Sequence, residues 1–236
     1  MNISPDNIIV LHIGPITLNA TIVYTWITMA VIVALSWFGT KKLTTEYKIS
    51  RWQNLLETLV LGMNKQIRAI SNQEPGRFLP IVGTLFLFIS VSVIMSIVPG
   101  YQPPTGSLST TAALAICVFV AVQFYGISKR GFIGYLKHYL KPTPFMLPFN
   151  ILGEASRTIA LAVRLFGNIM SGSVIIAILL SIAPIFFPIL MQALGLLTGL
   201  IQAYIFAILS IVYIASATRV YEEKEQTLEK YEKGKE

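Results

Sequence analysis

From about residue 148 to residue 218 the chain is apolar, interrupted only by Pro184, Pro188 and three ionisable side chains, Glu154, Arg157 and Arg164. A helix of about 20 apolar residues crosses a bilayer's hydrocarbon core. Hydrocarbon leaves a backbone no option but to bond to itself. The region therefore predicts two long membrane-embedded helices, at 149–181 and 189–220. Three further apolar stretches, near 17–39, 79–99 and 108–128, predict shorter spans. Composition agrees: 54% of residues are hydrophobic and 12% charged, with a mean hydropathy of +0.68, against about 25% charged in soluble domains. The expected fold is an all-α integral membrane protein, one membrane domain over 1–236, with about five membrane-embedded helices.

A formal net charge of +7 would suggest nucleic acid in a soluble protein. Here the positions of the 18 Lys and Arg residues say otherwise. Lys41, Lys42, Lys48, Arg51, Lys65, Arg68 and Arg77 lie between the first and second spans. Lys129, Arg130, Lys137 and Lys141 lie between the third span and the long region, and Arg219, Lys224, Lys230, Lys233 and Lys235 fall in the tail. The alternate connections have none. Basic loops stay cytoplasmic, so the N-terminus is expected outside, the C-terminus in the cytoplasm, and the partner is lipid rather than nucleic acid. Met1–Thr17 has no basic start and contains Asp6, unlike a cleaved signal peptide.

Residues 48–74 place Trp52, Leu55, Leu56, Leu59, Val60, Met63, Ile67 and Ile70 at helical spacing with charges between them. This predicts an amphipathic helix on the cytoplasmic face, lying on the bilayer or docked on a partner. A helix over 149–181 would be about 50 Å long at 1.5 Å per residue. The hydrocarbon core is about 30 Å thick, so the last two helices are expected to form a strongly tilted hairpin. The charged tail, 221–236, reads as a solvated helix end.

Within the long region Arg157 and Arg164, seven positions apart, share one helix face with Asn168 and Ser171. Amides and hydroxyls there can join helices at roughly 0.6–2 kcal/mol each. A permanent charge is a different matter. Placing an arginine at mid-membrane costs about 2.5–3.5 kcal/mol or more, and it cannot discharge by losing its proton. Glu154 and Arg157, three apart, can neutralise each other near the cytoplasmic end. Arg164 lies about 10 Å deeper, and no acid follows it before the tail. Its counter-charge is expected on another subunit.

Arg164-Leu-Phe-Gly-Asn168, the following Ile-Met-Ser-Gly172, and Gln202-Ala-Tyr-Ile-Phe206 with Ile211-Val-Tyr213 downstream resemble subunit a of F-type ATP synthases. Weaker matches fall in the same order: Gly76-Arg-Phe78, Pro103-Pro-Thr105, Thr110-Thr-Ala112 and Tyr125-Gly126. The resemblance implies a stator subunit that abuts a ring of c subunits and contacts b-type peripheral stalk subunits in an energy-coupling membrane, such as the inner membrane of a bacterial or archaeal cell. It implies two ion half-channels, with Arg164 as the essential ion-path arginine between them. Asn168 and Gln202 then line the path near the arginine, and Glu154 lines the cytoplasmic exit beside Arg157. The subunit itself is expected to be non-catalytic, with no ATP site, cofactor or metal.

This chain departs from the family pattern on the outer side. Ser173 stands where many members have Glu, Gly195 where some have His, and Ser107 where the external loop often carries Asp. A proton would travel by water and hydroxyls such as Ser171, Ser173 and Tyr213. The same lining is compatible with Na⁺, so H⁺ is the first expectation and Na⁺ the alternative. A stand-alone channel or secondary transporter is more remote, since paired repeats are not visible.

Overall fold

A computed structural model describes residues 9–13, 16–40, 51–71, 74–98, 100–139, 146–182 and 187–233. Most of the Pro-rich segment at 141–148, the turn between the last two helices at 183–186 and the end of the tail lie outside these residues. Two short antiparallel strands, β1 (Ile9–Ile13) and β2 (Ile16–Asn19), precede six helices. The helices are α1 (Ala20–Thr40), α2 (Arg51–Ser71), α3 (Leu79–Met95), α4 (Leu108–Tyr139), α5 (Met146–Ile182) and α6 (Phe187–Lys233). The chain is an all-α membrane protein apart from that hairpin, which the hydropathy pattern does not announce.

Among the described residues four helices are long and apolar enough to cross a membrane: Ala20–Thr40, Leu108–Ser128, Pro148–Ser181 and Ile189–Thr218. The 17-residue α3 is shorter but equally apolar. Helix boundaries follow local chemistry. Pro148 and Pro188 sit in the first turns of α5 and α6, where a missing N–H loses no helical bond. Gly131 interrupts α4 with φ +69°, three residues after the apolar span ends at Ser128.

α3, α4, α5 and α6 pack together, with α1 against α3, and α2 against α6 and α3. The common core contains Val82, Ile89, Val118, Leu161, Leu165, Phe206 and Ile214. Gly199, Ala203 and Ala207 recur every four residues on α6 and are all buried. Small side chains at that spacing let backbones approach, which matters where no hydrophobic effect drives helices together. Some interior hydroxyls are satisfied within their own helices: Thr28 donates to the Tyr24 carbonyl at 2.8 Å and Ser210 to the Phe206 carbonyl at 2.8 Å, whereas the buried Ser90 hydroxyl has no partner among the described residues.

Between α3 and α4 the chain folds back over the bundle instead of looping away. Pro104–Gly106 forms a buried turn, and a Cβ on Gly106 would lie 3.6 Å from Ile169 of α5. Tyr101 anchors this loop to α1 through a 2.6 Å hydrogen bond with Thr28, and the Tyr24 hydroxyl donates to the Gly100 carbonyl at 2.9 Å. The loop is thereby carried onto the end of α5 that follows Arg164.

Candidate functional site

Leu161 and Leu165 turn one face of α5 into the core. Arg164, next to Leu165, is about 100° around the helix from it and is exposed. Its exposed face continues through Gly153, Arg157, Ala160, Gly167, Ser171 and Ile175. Gly153 and Gly167 have nothing within 4 Å of a Cβ built on them, so this chain's packing does not require their smallness. Among the described residues no side chain pairs with Arg164.

Two polar cavities lie to either side of Arg164 along α5. One, of about 20 Å³, is lined by Glu154, Arg157 and Thr158 of α5, Val118, Phe119 and Val122 of α4, and Tyr213 and Ser216 of α6. That is room for about one water molecule. Gln123 of α4 donates to Glu154 Oε2 at 2.6 Å, and the Arg157 guanidinium sits 5.7 Å from the centre of the Tyr213 ring. A cation over that ring face is attracted by its quadrupole. Glu154, Arg157 and Tyr213, all singled out in the sequence, thus meet at one place.

The second cavity, of about 200 Å³, lies beyond Arg164. Asn168 and Ser173 of α5 line it together with Gln192 and Thr198 of α6, Ser96 after α3, and Tyr101 and Gln102 of the folded-back loop. Asn168 donates to the Thr198 carbonyl at 3.3 Å, and Gln192 to the Ser96 carbonyl at 2.7 Å. The Gln102 side-chain amide oxygen Oε1 is buried without a partner among the described residues. Burial pushes the Tyr101 hydroxyl above the ordinary tyrosine range, opposed by its hydrogen bonds with Thr28 and Ser92, with the Tyr24 hydroxyl adding to the rise. Gly195, which stands where some members of the resembled family have His, lines this cavity too, with open space beyond its Cα. The two cavities share no lining residue.

Ser171 lies on the exposed face and donates to the Asn168 carbonyl at 3.1 Å, and Ser173 donates to Met170 at 2.8 Å. Gln202 is placed differently from these residues. It is buried in α6, and its amide nitrogen has no hydrogen-bond partner among the described residues. Sequence reading did not single out Tyr101, Gln102, Thr198 or Gln123. A Tyr-Gln pair in a proline-bounded loop gives a faint signal, but only the fold carries it onto α5.

Comparison with known proteins was made against this arrangement. The family described as ATP synthase A chain matches residues 22–215. The chain is 58% identical over 227 residues to ATP synthase subunit a 2 of Acaryochloris marina, covering 96% of this chain and 97% of that protein. It is 58% identical over 231 residues to ATP synthase subunit a of Albidiferax ferrireducens, 98% of this chain and 100% of that one. ATP synthase subunit a 1 of Chlorobaculum tepidum is 54% identical over 219 residues, covering 93% and 99% respectively.

Proposed function

The chain belongs to the ATP synthase A chain family, and we propose that it is the ion-path subunit of the stator, coupling H⁺ translocation past a c-ring to ATP synthesis or hydrolysis. The observation that carries this reading is an exposed permanent cation on α5 between two polar cavities that share no wall residue. In this proposal the exposed face through Arg164 meets the c-ring, whose membrane carboxylates supply the missing counter-charge. The open space at Gly153 and Gly167 lets the ring come close.

The mechanism follows from electrostatics. A neutral, ion-loaded carboxyl approaches from the lipid side of the ring. Within about 4–6 Å of Arg164 its charged form is favoured, so it releases its ion into one cavity. It leaves Arg164 as it takes another ion from the opposite cavity. The guanidinium keeps its charge throughout and repels any cation passing directly from one cavity to the other. Each ion carries about 2.3 kcal/mol per 100 mV of membrane potential, which drives rotation in the synthetic direction.

We assign the larger cavity, with Asn168 and Ser173, to the outer half-channel and the Glu154–Arg157–Tyr213 cavity to the cytoplasmic one. Gln202 supplies a buried donor on the adjoining helix. The distribution of Lys and Arg supports a cytoplasmic C-terminus, an outer N-terminus and residence in an energy-coupling membrane. The apolar 34 residues of α5, about 50 Å at 1.5 Å per residue, support a strong tilt along the ring, with b-type stalk subunits holding the chain still.

One observation favours a second reading, in which the coupling ion is Na⁺. The polar groups lining the outer cavity are hydroxyls and amides, with no acid among the described residues. Reconstituted vesicles test both readings. Arg164→Ala should abolish ion-driven ATP synthesis while assembly persists, and coupled synthesis retained in that variant overturns the mechanism. ATP-driven uptake that survives an uncoupler but not a sodium ionophore selects Na⁺; the reverse selects H⁺.

A further inference from the structure

A third cavity, of about 240 Å³, lies on the side of α6 that packs against α2 and α3, and shares no wall residue with either polar cavity. It is framed by Leu59 and Met63 of α2, Val82 and Phe86 of α3, and Ala207 and Ile208 of α6. Its walls are mostly apolar, with Gln66 and Tyr204 also lining it, and Thr58 already spends its hydroxyl on the Asn54 carbonyl at 2.7 Å. Gly62 also lines it, and a Cβ there meets nothing within 4 Å, so the space is open at that wall.

Val82 and Phe86 are three and seven residues into α3, placing the cavity about 5–10 Å along that helix, within one leaflet of a core about 30 Å thick. The adjoining surface of α2 exposes Leu55, Val60 and Leu61. Lys65 is exposed on α2, next in sequence to Gln66, which lines the cavity. An apolar slot at leaflet depth, opening beside a cation on an amphipathic helix, matches a molecule with a long hydrocarbon tail and an anionic head.

We propose that this cavity is a binding site for one anionic phospholipid, an acyl chain between α2, α3 and α6 and its headgroup phosphate on Lys65. The lipid completes the packing of α2 on the membrane helices, where the protein leaves a gap. The occupant is set by supply as well as chemistry, since acyl chains are the apolar partners that surround a membrane-spanning chain.

The test uses the intact complex in liposomes doped with phosphatidylglycerol carrying a photoreactive group in its acyl chain, with labelled residues mapped by peptide mass spectrometry. Adducts at Met63 and Ile208 should saturate at low probe fraction and be displaced by unlabelled phosphatidylglycerol. Adducts at Val33 and Phe38, exposed on α1, should instead rise in proportion to probe. Lys65→Gln should weaken the phosphatidylglycerol signal about fivefold and leave a phosphatidylcholine probe unchanged. Gly62→Trp should remove labelling by both. Linear, non-displaceable labelling at Met63 and Ile208 in the native complex overturns the proposal without recourse to any variant, as does full labelling in an assembled Gly62→Trp complex.

Discussion

Replacing Gly199 by alanine places a methyl where α6 touches α3. Its Cβ would lie 2.6 Å from Val93 Cγ1, 3.0 Å from Cγ2 and 3.4 Å from Cβ. Ordinary contact begins at 3.4 Å, so about 0.8 Å (3.4 minus 2.6) must be found. Val93 cannot supply it by rotation: β-branched side chains are stiff in helices, and both methyls are already close. It is also only 4% exposed. The helices must therefore part. Overpacking of this kind costs about 1–3 kcal/mol, while alanine returns about 0.5–1 kcal/mol of helix preference over glycine. The expected net loss is about 0.5–2 kcal/mol. Detergent-titrated unfolding of the purified chain measures it, with Val93→Ala as the second arm of a double-mutant cycle. The pair should couple by about 1 kcal/mol, and Gly62→Ala, facing open space, should stabilise by about 0.5–1 kcal/mol. If Gly199→Ala stabilises as Gly62→Ala does, or adds independently to Val93→Ala, the close-packing account is wrong.

Gly167→Leu adds bulk to the exposed face beside Arg164 without meeting anything in this chain. It should leave the chain's stability unchanged and lower coupled synthesis severalfold; unimpaired coupling would count against that face as the ring contact. Gln123→Leu removes the 2.6 Å donor to Glu154. Hydrogen bonds to charged groups contribute about 1.5–3 kcal/mol, so ATP-driven ion transport should fall about tenfold or more, and an unchanged rate removes Glu154 from the path. Tyr101 titrates above its ordinary value of 10.0 in the folded chain. The unfolded chain therefore loses that proton first, and stability should decline as pH rises past about 10. Tyr101→Phe should flatten this alkaline limb in thermal unfolding scans, and an identical limb in the variant would exclude Tyr101 as its source.

The membrane class and the all-α fold were legible because hydrocarbon imposes one rule on every span, and apolar length reads it directly. The strands Ile9–Ile13 and Ile16–Asn19 were not, since five and four residues are too few to show alternation. Arg164 was legible as a charge that its own chain does not answer. Gln123 and Glu154 illustrate the limit. They are 31 residues apart, each merely a polar residue in an apolar run, and only the packing of α4 on α5 fixes that they meet. Tyr101 and Gln102 were hidden for a related reason: the loop's path over α5 depends on its anchorage to Thr28 and Tyr24.

The separation of the two polar cavities has an electrical consequence. Under the proposed function each would be a lead that stops short of the other, with the gap bridged by a moving body rather than by a pore. A membrane holding this chain alone should behave as an insulator and keep its voltage. Current should appear in discrete parcels, one per passing carboxylate, so that the conductance of the assembled complex reads out the stepping rate of the ring.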